Sequence, residues 1–535
     1  MLRTSSELPP ASNDRFDFLF PDLQNDPINL LPAANVDERR RTRSDLRRLG
    51  ETMLDTGDAM PGAGDSTIPA IYTYFGQFID HDITLENTSG DLEDICTDPN
   101  FRPLGVDDIR REIRNARNPV LDLDSVYDSP AVRIGPRMQI GNVTTLDPAG
   151  TDPTATRPTL RPRIVDPLNP ASPGNFASDE NDVPREGLST DPRDDRAAKI
   201  GDPRNDENTV ISQIQVAFLR AHNAIVDFPA NPKTFEEART ILRQHYQHII
   251  IHDYLKKRIA DPAVVDDILA NGNQVFKFGL GEPLGDELFM PLEFSVAAFR
   301  FGHTMVRSAY NFNVNFTFTE NPPIPATLRL LFTFTALSGQ LGFGPGTPTL
   351  PENWIIEWEM FLKDKARRLD TRLVEPLFQI PDLVGDVEPG DCMRLATRNL
   401  LRGYLLRLPT GQAVATELMN LGVPNISVLT PAQISGAAAS ATQREALQFA
   451  GFLDRTPLWF YILAEADVLG NGNHLGPVGS RIVAEVLIEL IRRSSDSILN
   501  IAGWTPSLPS AVAGTFDLAD LLKLAGVLHP NVPNP

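Results

Sequence analysis

Apolar residues recur along most of this chain at the three- and four-residue spacing of an amphipathic helix. The spacing is clear at Val210, Ile211, Ile214, Phe218 and Ile225 and again across residues 234–259. Further predicted helices cover residues 106–117, 292–306, 392–406, 441–453, 457–469 and 478–498. Strand-like alternation is confined to short stretches such as residues 311–318. The pattern predicts a mainly α fold with one large core, long irregular loops and few short strands.

Prolines are distributed unevenly along the chain. Of the 46 prolines, 21 precede residue 200, and nine of these lie between Pro148 and Pro192. Because proline lacks an N–H and fixes φ, this density predicts a long irregular excursion at about residues 145–196. We also predict an N-terminal arm over residues 1–40 and a single domain over residues 41–535.

The charge balance narrows the classes of partner. Of 535 residues, 41% are apolar, which suits a sizeable core, and the net charge of −21 argues against nucleic acids and anionic membranes. No apolar run reaches the ~18 residues of a membrane span, and the N-terminus lacks the apolar core of a secretory signal. We expect a soluble chain, cytoplasmic or exported without a leader, with a monomer favoured. Cys96 and Cys392 alone imply no disulfide framework and no cysteine-rich metal site.

The most informative segment, residues 75–84, reads FGQFIDHDIT and sets polar side chains into an apolar stretch. On a helix, Gln77, Asp80 and His81 share a face, whereas Asp82 lies about 100° further round. Apolar residues fill the rest of the turn, so this polar face enters the protein interior. Buried polar groups cost free energy unless they have partners, so the segment predicts a partner for each face.

A second motif, residues 200–208, reads IGDPRNDEN. Asp202 suits an N-cap and Pro203 the first position of a helix. Arg204, a permanent cation, then lies with the Glu207 carboxylate near the helix N-terminus, a corner that can stabilise negative charge developing on a bound oxygen. The alternative is an ordinary capped helix start with an exposed ion pair.

Two further segments carry single polar groups on apolar helices. His303 follows a glycine in the run FRFGHTM, which suits a metal ligand entering a core but equally an ordinary core histidine. Asn399 and Arg402 lie three residues apart in LATRNLLRG and, taken alone, are ordinary hydrogen-bonding residues. None of these residues decides a function by itself.

Taken in order, the four motifs resemble the peroxidase–cyclooxygenase superfamily, the animal-type haem peroxidases and their bacterial relatives, over roughly residues 65–410. The resemblance implies that His81 is the distal histidine, Gln77 its neighbouring amide and Arg204 the distal arginine. It implies that His303 ligates the haem iron and that Asn399 accepts a hydrogen bond from the other ring nitrogen. The fold implied is the helical core of animal haem peroxidases, and the run after Arg402 is typical of a bacterial branch.

The same resemblance implies how the haem would be held. Asp80 and Glu207 match two carboxylates that esterify haem methyl groups in mammalian members, and Arg402 matches an arginine near the haem. Asn208 stands where one mammalian enzyme has a methionine bonded to a haem vinyl group, so no sulfonium link is expected. The cofactor expected is haem b or an ester-linked derivative.

A calcium ion is the second cofactor that the resemblance implies. Asp82 matches a calcium ligand that follows the distal histidine, and the other ligands lie in the loop 118–127. They are the side chains of Asn118, Asp122 and Asp124 and the carbonyl of Val120. Carboxylates and carbonyls at alternate positions suit a hard cation with six to eight oxygen ligands. The alternative for this loop is an acidic surface turn.

The implied function is oxidation of a halide or small organic donor by hydrogen peroxide through a ferryl intermediate, with His81 as general base and then general acid. Activity would fall as His81 protonates, near or below its reference pKa of about 6.5. The alternatives are a fatty-acid dioxygenase of the same superfamily and a non-catalytic haem- and calcium-binding module. The dioxygenases use a tyrosine three residues before the proximal histidine, a position that Arg300 occupies here.

The other histidines suggest no site. His245, His248 and His252 share a predicted helix, but no glutamate follows His248 as a zinc protease motif requires. His222, His474 and His529 have no partner that the sequence identifies.

Overall fold

The structure, a computed structural model, describes residues 14–57, 60–62, 64–86, 102–141, 179–186, 196–229, 231–279, 284–285, 287–319, 322–332, 335, 350, 352–378 and 394–535. Both cysteines and most of the proline-rich excursion lie outside these ranges. The predictions made for them therefore stay predictions.

Helices dominate the described residues, as the apolar spacing predicts. In chain order the α-helices are α1 (Val36–Glu51), α2 (Ile71–Ile83), α3 (Val106–Glu112), α4 (Asp124–Tyr127), α5 (Thr209–Val226), α6 (Phe235–His248), α7 (Pro262–Asn271), α8 (Leu328–Leu331), α9 (Trp358–Lys363), α10 (Glu375–Phe378), α11 (Leu395–Leu405), α12 (Gly411–Asn420), α13 (Pro431–Gly436), α14 (Ala441–Ala450), α15 (Leu458–Gly470), α16 (Pro477–Arg493) and α17 (Leu518–Leu524).

Tighter and wider helical turns join these helices. The 3₁₀ turns are Pro21–Asn25, Pro27–Asn29, Asp179–Asn181, Pro203–Asp206, Ala298–Met305, Glu352–Trp354 and Ile498–Asn500, and π-helical turns cover Ile249–Ile259 and Glu293–Ala297. The helix predicted over residues 292–306 is thus a π turn followed by a 3₁₀ turn. The change occurs at Ala297, whose φ of −127° and ψ of −70° are not helical.

Strands are short and pair only in twos. They are β1 (Phe16–Asp17), β2 (Leu54–Asp55), β3 (Asp65–Pro69), β4 (Arg133–Ile134), β5 (Arg137–Met138), β6 (Met290–Pro291), β7 (Ala309–Tyr310), β8 (Ala326–Thr327), β9 (Lys365–Arg367) and β10 (Leu373–Val374). β1 pairs with β6 and β2 with β10 in parallel, whereas β3 with β9, β4 with β5 and β7 with β8 are antiparallel. The mainly α prediction is confirmed.

The strand predicted over residues 311–318 is wrong. Asn313 Oδ1 accepts a hydrogen bond from Asn315 N at 2.9 Å, which closes a local turn, and only isolated bridges form there. Asparagine side chains compete with strand ladders in this way, so apolar alternation alone was misleading.

Some predicted helices end early. The prediction to Arg117 fails because the backbone turns extended at Ile113, after α3, and Arg114 and Asn115 pair with other segments. The helix predicted to residue 498 ends at Arg493, where Ser494 is extended. The helix α1 begins at Val36, so the boundary predicted at residue 40 falls inside it.

α2 lies inside the buried core. It packs against α5 and against the Ala298–Met305 turn, which also packs against α15. α15 is buried on every side from Leu458 to Ala466, as its continuous apolar run indicates. Gly76 permits close packing of α2, because a Cβ there would lie 2.4 Å from the Tyr254 hydroxyl. Among the described residues, no helix is both long and apolar enough to cross a membrane.

Candidate active site

The polar face of α2 has the partners that the sequence demands. Within Ile71–Ile83 only Gln77 and Asp80 are partly exposed, and every other residue is buried. Asp80 Oδ1 accepts a hydrogen bond from Thr84 Oγ1 at 2.9 Å, and burial raises the pKa of Asp80. α2 therefore presents a narrow polar face on an otherwise enclosed helix.

His81 is 5% exposed and its ring is fixed by an amide. Its Nδ1 donates to Asn205 Oδ1 at 2.9 Å, and Asn205 lies in the Pro203–Asp206 turn. Desolvation, reinforced by the Arg204 cation, lowers the pKa of His81 to about 3. The imidazole is therefore neutral far below the pH of about 6.5 that its reference pKa suggests.

The segment around Asp202 differs in part from its prediction. Asp202 is an N-cap, accepting from Arg204 N at 2.9 Å, but it caps a 3₁₀ turn and not the long helix. α5 begins only at Thr209, and Asn208 caps it by accepting from Ile211 N at 3.0 Å. Two caps six residues apart split the predicted helix start into a turn and a helix.

Arg204 makes several hydrogen bonds to protein oxygens, whereas the sequence predicts that it faces a bound ligand. Its Nη2 donates to Asp202 Oδ2 at 2.7 Å, to the His81 carbonyl at 3.1 Å and to the Thr84 carbonyl at 2.5 Å. Asp202 is fully buried and also forms an ion pair with Arg117 at 2.7 Å. The two guanidinium groups hold the pKa of Asp202 well below its usual range, despite burial, so it stays charged. From the sequence, Asp202 was predicted only as an N-cap, so its ion pairs with Arg204 and Arg117 were not expected.

Glu207 lies beside the polar face of α2. Gln77 Nε2 donates to Glu207 Oε1, and Asn208 Nδ2 donates to Gln77 Oε1 at 3.3 Å. Burial raises the pKa of Glu207 to about 7, although Arg204 and Gln77 oppose the shift. The exposed ion pair considered for this segment is excluded, because Glu207 binds Gln77 and Arg204 binds Asp202.

His303 and Asn399 meet as the sequence predicts, but with the amide reversed. Asn399 Nδ2 donates to His303 Nδ1 at 2.9 Å, because the Asn399 oxygen accepts from Arg300 Nη1 at 2.9 Å. Desolvation, with the nearby charge of Arg300, lowers the pKa of His303 to about 3. Arg300 thus joins a network that the sequence did not reveal.

Arg402 projects from α11 into a desolvated position. It pairs with Glu86, and its Nε is buried without a hydrogen-bond partner. Burial lowers the pKa of Arg402 to about 10.

Asp82 points away from His81 and into the loop 118–127. The fully buried carboxylate accepts from Leu123 N at 3.1 Å and from Ser125 N at 3.0 Å. Burial and the nearby Asp124 raise the pKa of Asp82 to about 7, and burial also raises the pKa of Asp122. Gly201 permits this loop to approach, since a Cβ there would lie 2.2 Å from the Asp124 carbonyl.

Several oxygen atoms of this loop are buried without a hydrogen-bond partner, namely Asn118 Oδ1, Asp122 Oδ1 and Ser125 Oγ. The Val120 carbonyl accepts from Asp122 N at 3.1 Å. No three His, Cys, Asp or Glu side chains within the described ranges are already arranged to hold a metal. The loop therefore offers oxygens of mixed type but no closed carboxylate cluster.

The other histidines have structural partners. His222 lies between the Tyr127 hydroxyl and the Pro136 carbonyl, and His245 Nε2 accepts from the backbone of Ser507 and Leu508. The rings of His248 and His252 contact each other, with centroids 4.4 Å apart and planes tilted by 40°.

Comparison with known proteins places this geometry in a family. The sequence model of the animal haem peroxidase family matches residues 163–338, a segment that contains Arg204, Glu207 and His303. Peroxidase A from Dictyostelium discoideum superposes with a TM-score of 0.54 at 15% identity, over 92% of this chain and 91% of that one. Residues 163–338 thus match the animal haem peroxidase family, and the fold of the chain is similar to that of a peroxidase.

Curated relatives of this superfamily match part of the chain. A peroxidase-like protein of Margaritifera margaritifera is 28% identical over 285 residues, 45% of this chain and 32% of the relative. Peroxidasin of Drosophila melanogaster is 26% identical over 303 residues, 55% of this chain and 18% of the relative. The chain thus spans about a third or less of the length of these relatives.

The superfamily fold also occurs in a fatty acid alpha-dioxygenase from Oryza sativa, solved with palmitic acid. The TM-score is 0.50 at 12% identity, over 85% of this chain and 74% of that one, so the likeness concerns the fold alone. Animal haem peroxidases bind haem, so the match of residues 163–338 makes haem the cofactor to test against the site.

Proposed function

We propose that this chain is a haem peroxidase that uses hydrogen peroxide to oxidise a halide or a small organic donor. The observation that carries the proposal is a pair of histidines, His81 and His303, on elements that pack against each other. An asparagine fixes Nδ1 of each ring, Asn205 for His81 and Asn399 for His303. Both imidazoles are neutral, and His81 presents an unprotonated Nε2 as observed, whereas His303 would do so once the Asn399 amide turns.

The residues around His303 fit a haem. His303 would hold the iron through a neutral imidazole nitrogen, and Arg402 supplies a desolvated cation whose Nε lacks a partner. When bound, the haem would supply the electrons that break the O–O bond of hydrogen peroxide. Ligation through Nε2 places the ring proton on Nδ1, so Asn399 would turn its oxygen to the ring and Arg300 would release that oxygen.

His81 would move the proton of the peroxide. Its neutral Nε2 takes a proton from one peroxide oxygen and returns it to the other, as general base and then general acid. Because burial and Arg204 hold the pKa of His81 at about 3, we expect the rate to stay level from pH 7 to about pH 4 and to fall as the pH drops through 3.

Arg204 would stabilise charge on the departing oxygen through Nη1, the guanidinium nitrogen that takes no part in its contacts with Asp202, His81 and Thr84. Its bonds to the backbone of α2 keep it beside His81. The neutral Gln77 amide would orient the peroxide on the same face.

Asp80 and Glu207 are the carboxyl groups that would hold the haem through ester bonds, as in other members of the superfamily. Both are partly exposed carboxyl groups with raised pKa, Asp80 bonded to Thr84 and Glu207 to Gln77. Both carboxyl groups would be available for ester formation.

The loop 118–127 fits a calcium ion. Asp82, Asp122 and Asp124 would supply carboxylates, Asn118 its side-chain oxygen and Val120 its carbonyl. The unpartnered oxygens of Asn118 and Asp122, and the carboxyl groups whose pKa is raised by burial and mutual repulsion, are what a bound hard cation would relieve. The ion would fix α2, and with it His81, against the loop.

Fatty-acid dioxygenation has less support. The position three residues before His303 holds Arg300, which binds Asn399 and the Ser295 carbonyl. The downstream Tyr310 hydroxyl accepts from Arg307 N and from the Tyr74 hydroxyl. Arg300 has no hydroxyl, and the Tyr310 hydroxyl is buried against Tyr74 and Arg307. Oxygen uptake on addition of a fatty acid would contradict this choice.

Replacement of His81 tests the proposal. In His81→Ala we expect haem to stay bound, with an unchanged Soret band, while the reaction with peroxide slows by about 10²–10⁴-fold. His529→Ala is the matched control, because His529 is exposed at the C-terminal end of the chain. Unchanged peroxide kinetics in His81→Ala would refute the assignment, and haem binding without turnover in the native chain would favour a non-catalytic module.

A further inference from the structure

A chain of side-chain hydrogen bonds runs from His81 to the loop that Asp82 contacts. His81 Nδ1 donates to Asn205 Oδ1 at 2.9 Å, and Asn205 Nδ2 donates to Gln215 Oε1 at 2.9 Å. Gln215 Nε2 donates to the Ser125 carbonyl at 3.4 Å. Asn205 and Gln215 are fully buried, so water cannot substitute for a missing partner.

The Ser125 carbonyl, at the end of this series of hydrogen bonds, sets the direction of every bond in the series. A carbonyl oxygen only accepts, so Gln215 must turn its amide nitrogen to Ser125 and its oxygen to Asn205. Asn205 must then turn its nitrogen to Gln215 and its oxygen to His81. An oxygen facing Nδ1 requires the ring proton there, so Nε2 carries the lone pair.

The reversed chain is disfavoured by burial. With Nδ1 as acceptor, both amides would flip and the Gln215 oxygen would face the Ser125 carbonyl without a proton between them. Two buried acceptors in contact lower the population of that arrangement by about tenfold or more. The Ser125 carbonyl is itself fixed, because Asp202 N donates to it at 3.1 Å.

We propose that Asn205 and Gln215 are positioning residues that lock His81 in the tautomer with the proton on Nδ1, the direction being set by the Ser125 carbonyl. The value of this lock rests on the proposed function, in which Nε2 of His81 must accept a proton. A histidine with Nε2 protonated would be in the wrong tautomer to act as the base.

Ser125 links this series of hydrogen bonds to the loop 118–127. Its N–H donates to Asp82 Oδ1 at 3.0 Å, and its carbonyl ends the chain from His81. His81 and Asp82 are neighbours on α2, so one loop residue acts on two consecutive residues through different routes. A shift of Ser125 would therefore loosen the tautomer of His81 as well as the position of α2.

NMR can measure directly which tautomer His81 adopts. The full-length chain is labelled with ¹⁵N-histidine and held in the diamagnetic ferrous form with carbon monoxide, and NMR reports which ring nitrogen of His81 carries the proton. The resonance is assigned by its loss in His81→Ala. We expect Nδ1 to be protonated and Nε2 unprotonated in the native chain at pH 7.

Gln215→Met removes both polar ends of the side chain at similar volume. We expect His81 to populate both tautomers and the peroxide reaction to slow by about three- to tenfold, since part of the population lacks the free Nε2. Gln213→Met is the matched control, because Gln213 is a 5% exposed glutamine on α5 whose Nε2 donates to the Asn181 carbonyl instead. It should keep a single tautomer.

Asn205→Asp and Asn205→Leu complete the set. The aspartate keeps an oxygen facing Nδ1 and should retain the single tautomer, whereas the leucine should lose it. A proton on Nε2 in the native chain, or a single Nδ1–H tautomer in both Gln215→Met and Asn205→Leu, would overturn the inference. Full peroxide reactivity in His81→Ala would instead refute the proposed function and leave the tautomer result standing.

Discussion

His81 and His303 are two neutral imidazoles in similar settings, but their asparagine partners point opposite ways. Burial lowers both pKa values to about 3. Nδ1 of His81 meets an amide oxygen, that of Asn205, and Nδ1 of His303 meets an amide nitrogen, that of Asn399. The histidine–asparagine pair alone therefore does not determine the tautomer.

The difference arises from the groups that each asparagine contacts on the side away from the histidine. The other end of the Asn205 amide begins a series of hydrogen bonds that ends at a carbonyl acceptor, that of Ser125. The other end of the Asn399 amide contacts Arg300, which only donates. An acceptor at the end of the network turns the amide oxygen toward the ring, and a cation turns it away. Under the proposed function, the His81 side would thus be arranged for proton transfer as it stands, and the His303 side would require a turn of one amide before ligation.

Loss of haem is the largest effect that this comparison predicts. His303→Ala should abolish the Soret band of the purified chain, because the axial nitrogen is gone, whereas His81→Ala should retain it. Absorption spectra at equal protein concentration measure the contrast, with His529→Ala as control. Equal haem content in His303→Ala and the native chain would show that the two histidines do not divide the roles in this way.

Removal of calcium should act mainly on the His81 side. An ion that binds only the folded chain stabilises it, by about 2.7 kcal/mol at a hundredfold excess over its Kd, so chelation should lower the unfolding temperature. We expect a fall of several degrees and a slower peroxide reaction, with the Soret band retained.

Asp82→Asn should abolish the difference between calcium and chelator in that measurement. Asp128→Asn is the control, because Asp128 is an exposed carboxylate just after the loop. A thermal shift that survives Asp82→Asn would place the ion elsewhere.

The smallest effect is expected from Arg300. Arg300→Met removes the donor that holds the Asn399 oxygen, so Asn399 can accept a hydrogen bond from His303 Nδ1. One hydrogen bond of about 1 kcal/mol corresponds to about a fivefold slower loss of haem, measured by transfer to apomyoglobin. Arg398→Met, an exposed arginine beside Asn399 on α11, controls for charge. Faster haem loss in Arg300→Met would mean that the observed amide orientation already supports the ligating ring.

Much of the local structure was predictable from the order of residues. The three- and four-residue spacing located α5, α15 and α16 to within about five residues of their ends, because burial of one helical face repeats at that period. The helix predicted over residues 234–259 is α6 followed by the π-helical turn Ile249–Ile259. The opposite directions of His81 and Asp82 also follow from helical geometry, and Asp82 does contact the loop 118–127. What spacing did not reveal were the two caps, Asp202 and Asn208, that split the second motif.

The partners of the site residues were less predictable. Arg204 was expected to face a ligand, but most of its contacts are with Asp202 and with backbone carbonyls of α2. Asn205, Gln215 and Arg300 were not singled out, because an asparagine, a glutamine or an arginine in a helix or turn has no distinctive spacing. Only the packing of distant segments shows which acceptor or donor each one meets.

The sequence by itself determined which side chains share a helical face and which motifs recur in the superfamily, since both depend on local geometry and residue type. The tertiary structure alone decided the polarity of the two histidine–asparagine pairs. That polarity depends on whether the hydrogen bonds beyond the asparagine lead through Gln215 to the Ser125 carbonyl or directly to the Arg300 guanidinium. Amides are symmetric in shape and opposite in hydrogen-bonding character at their two ends, so their orientation follows from their neighbours in space.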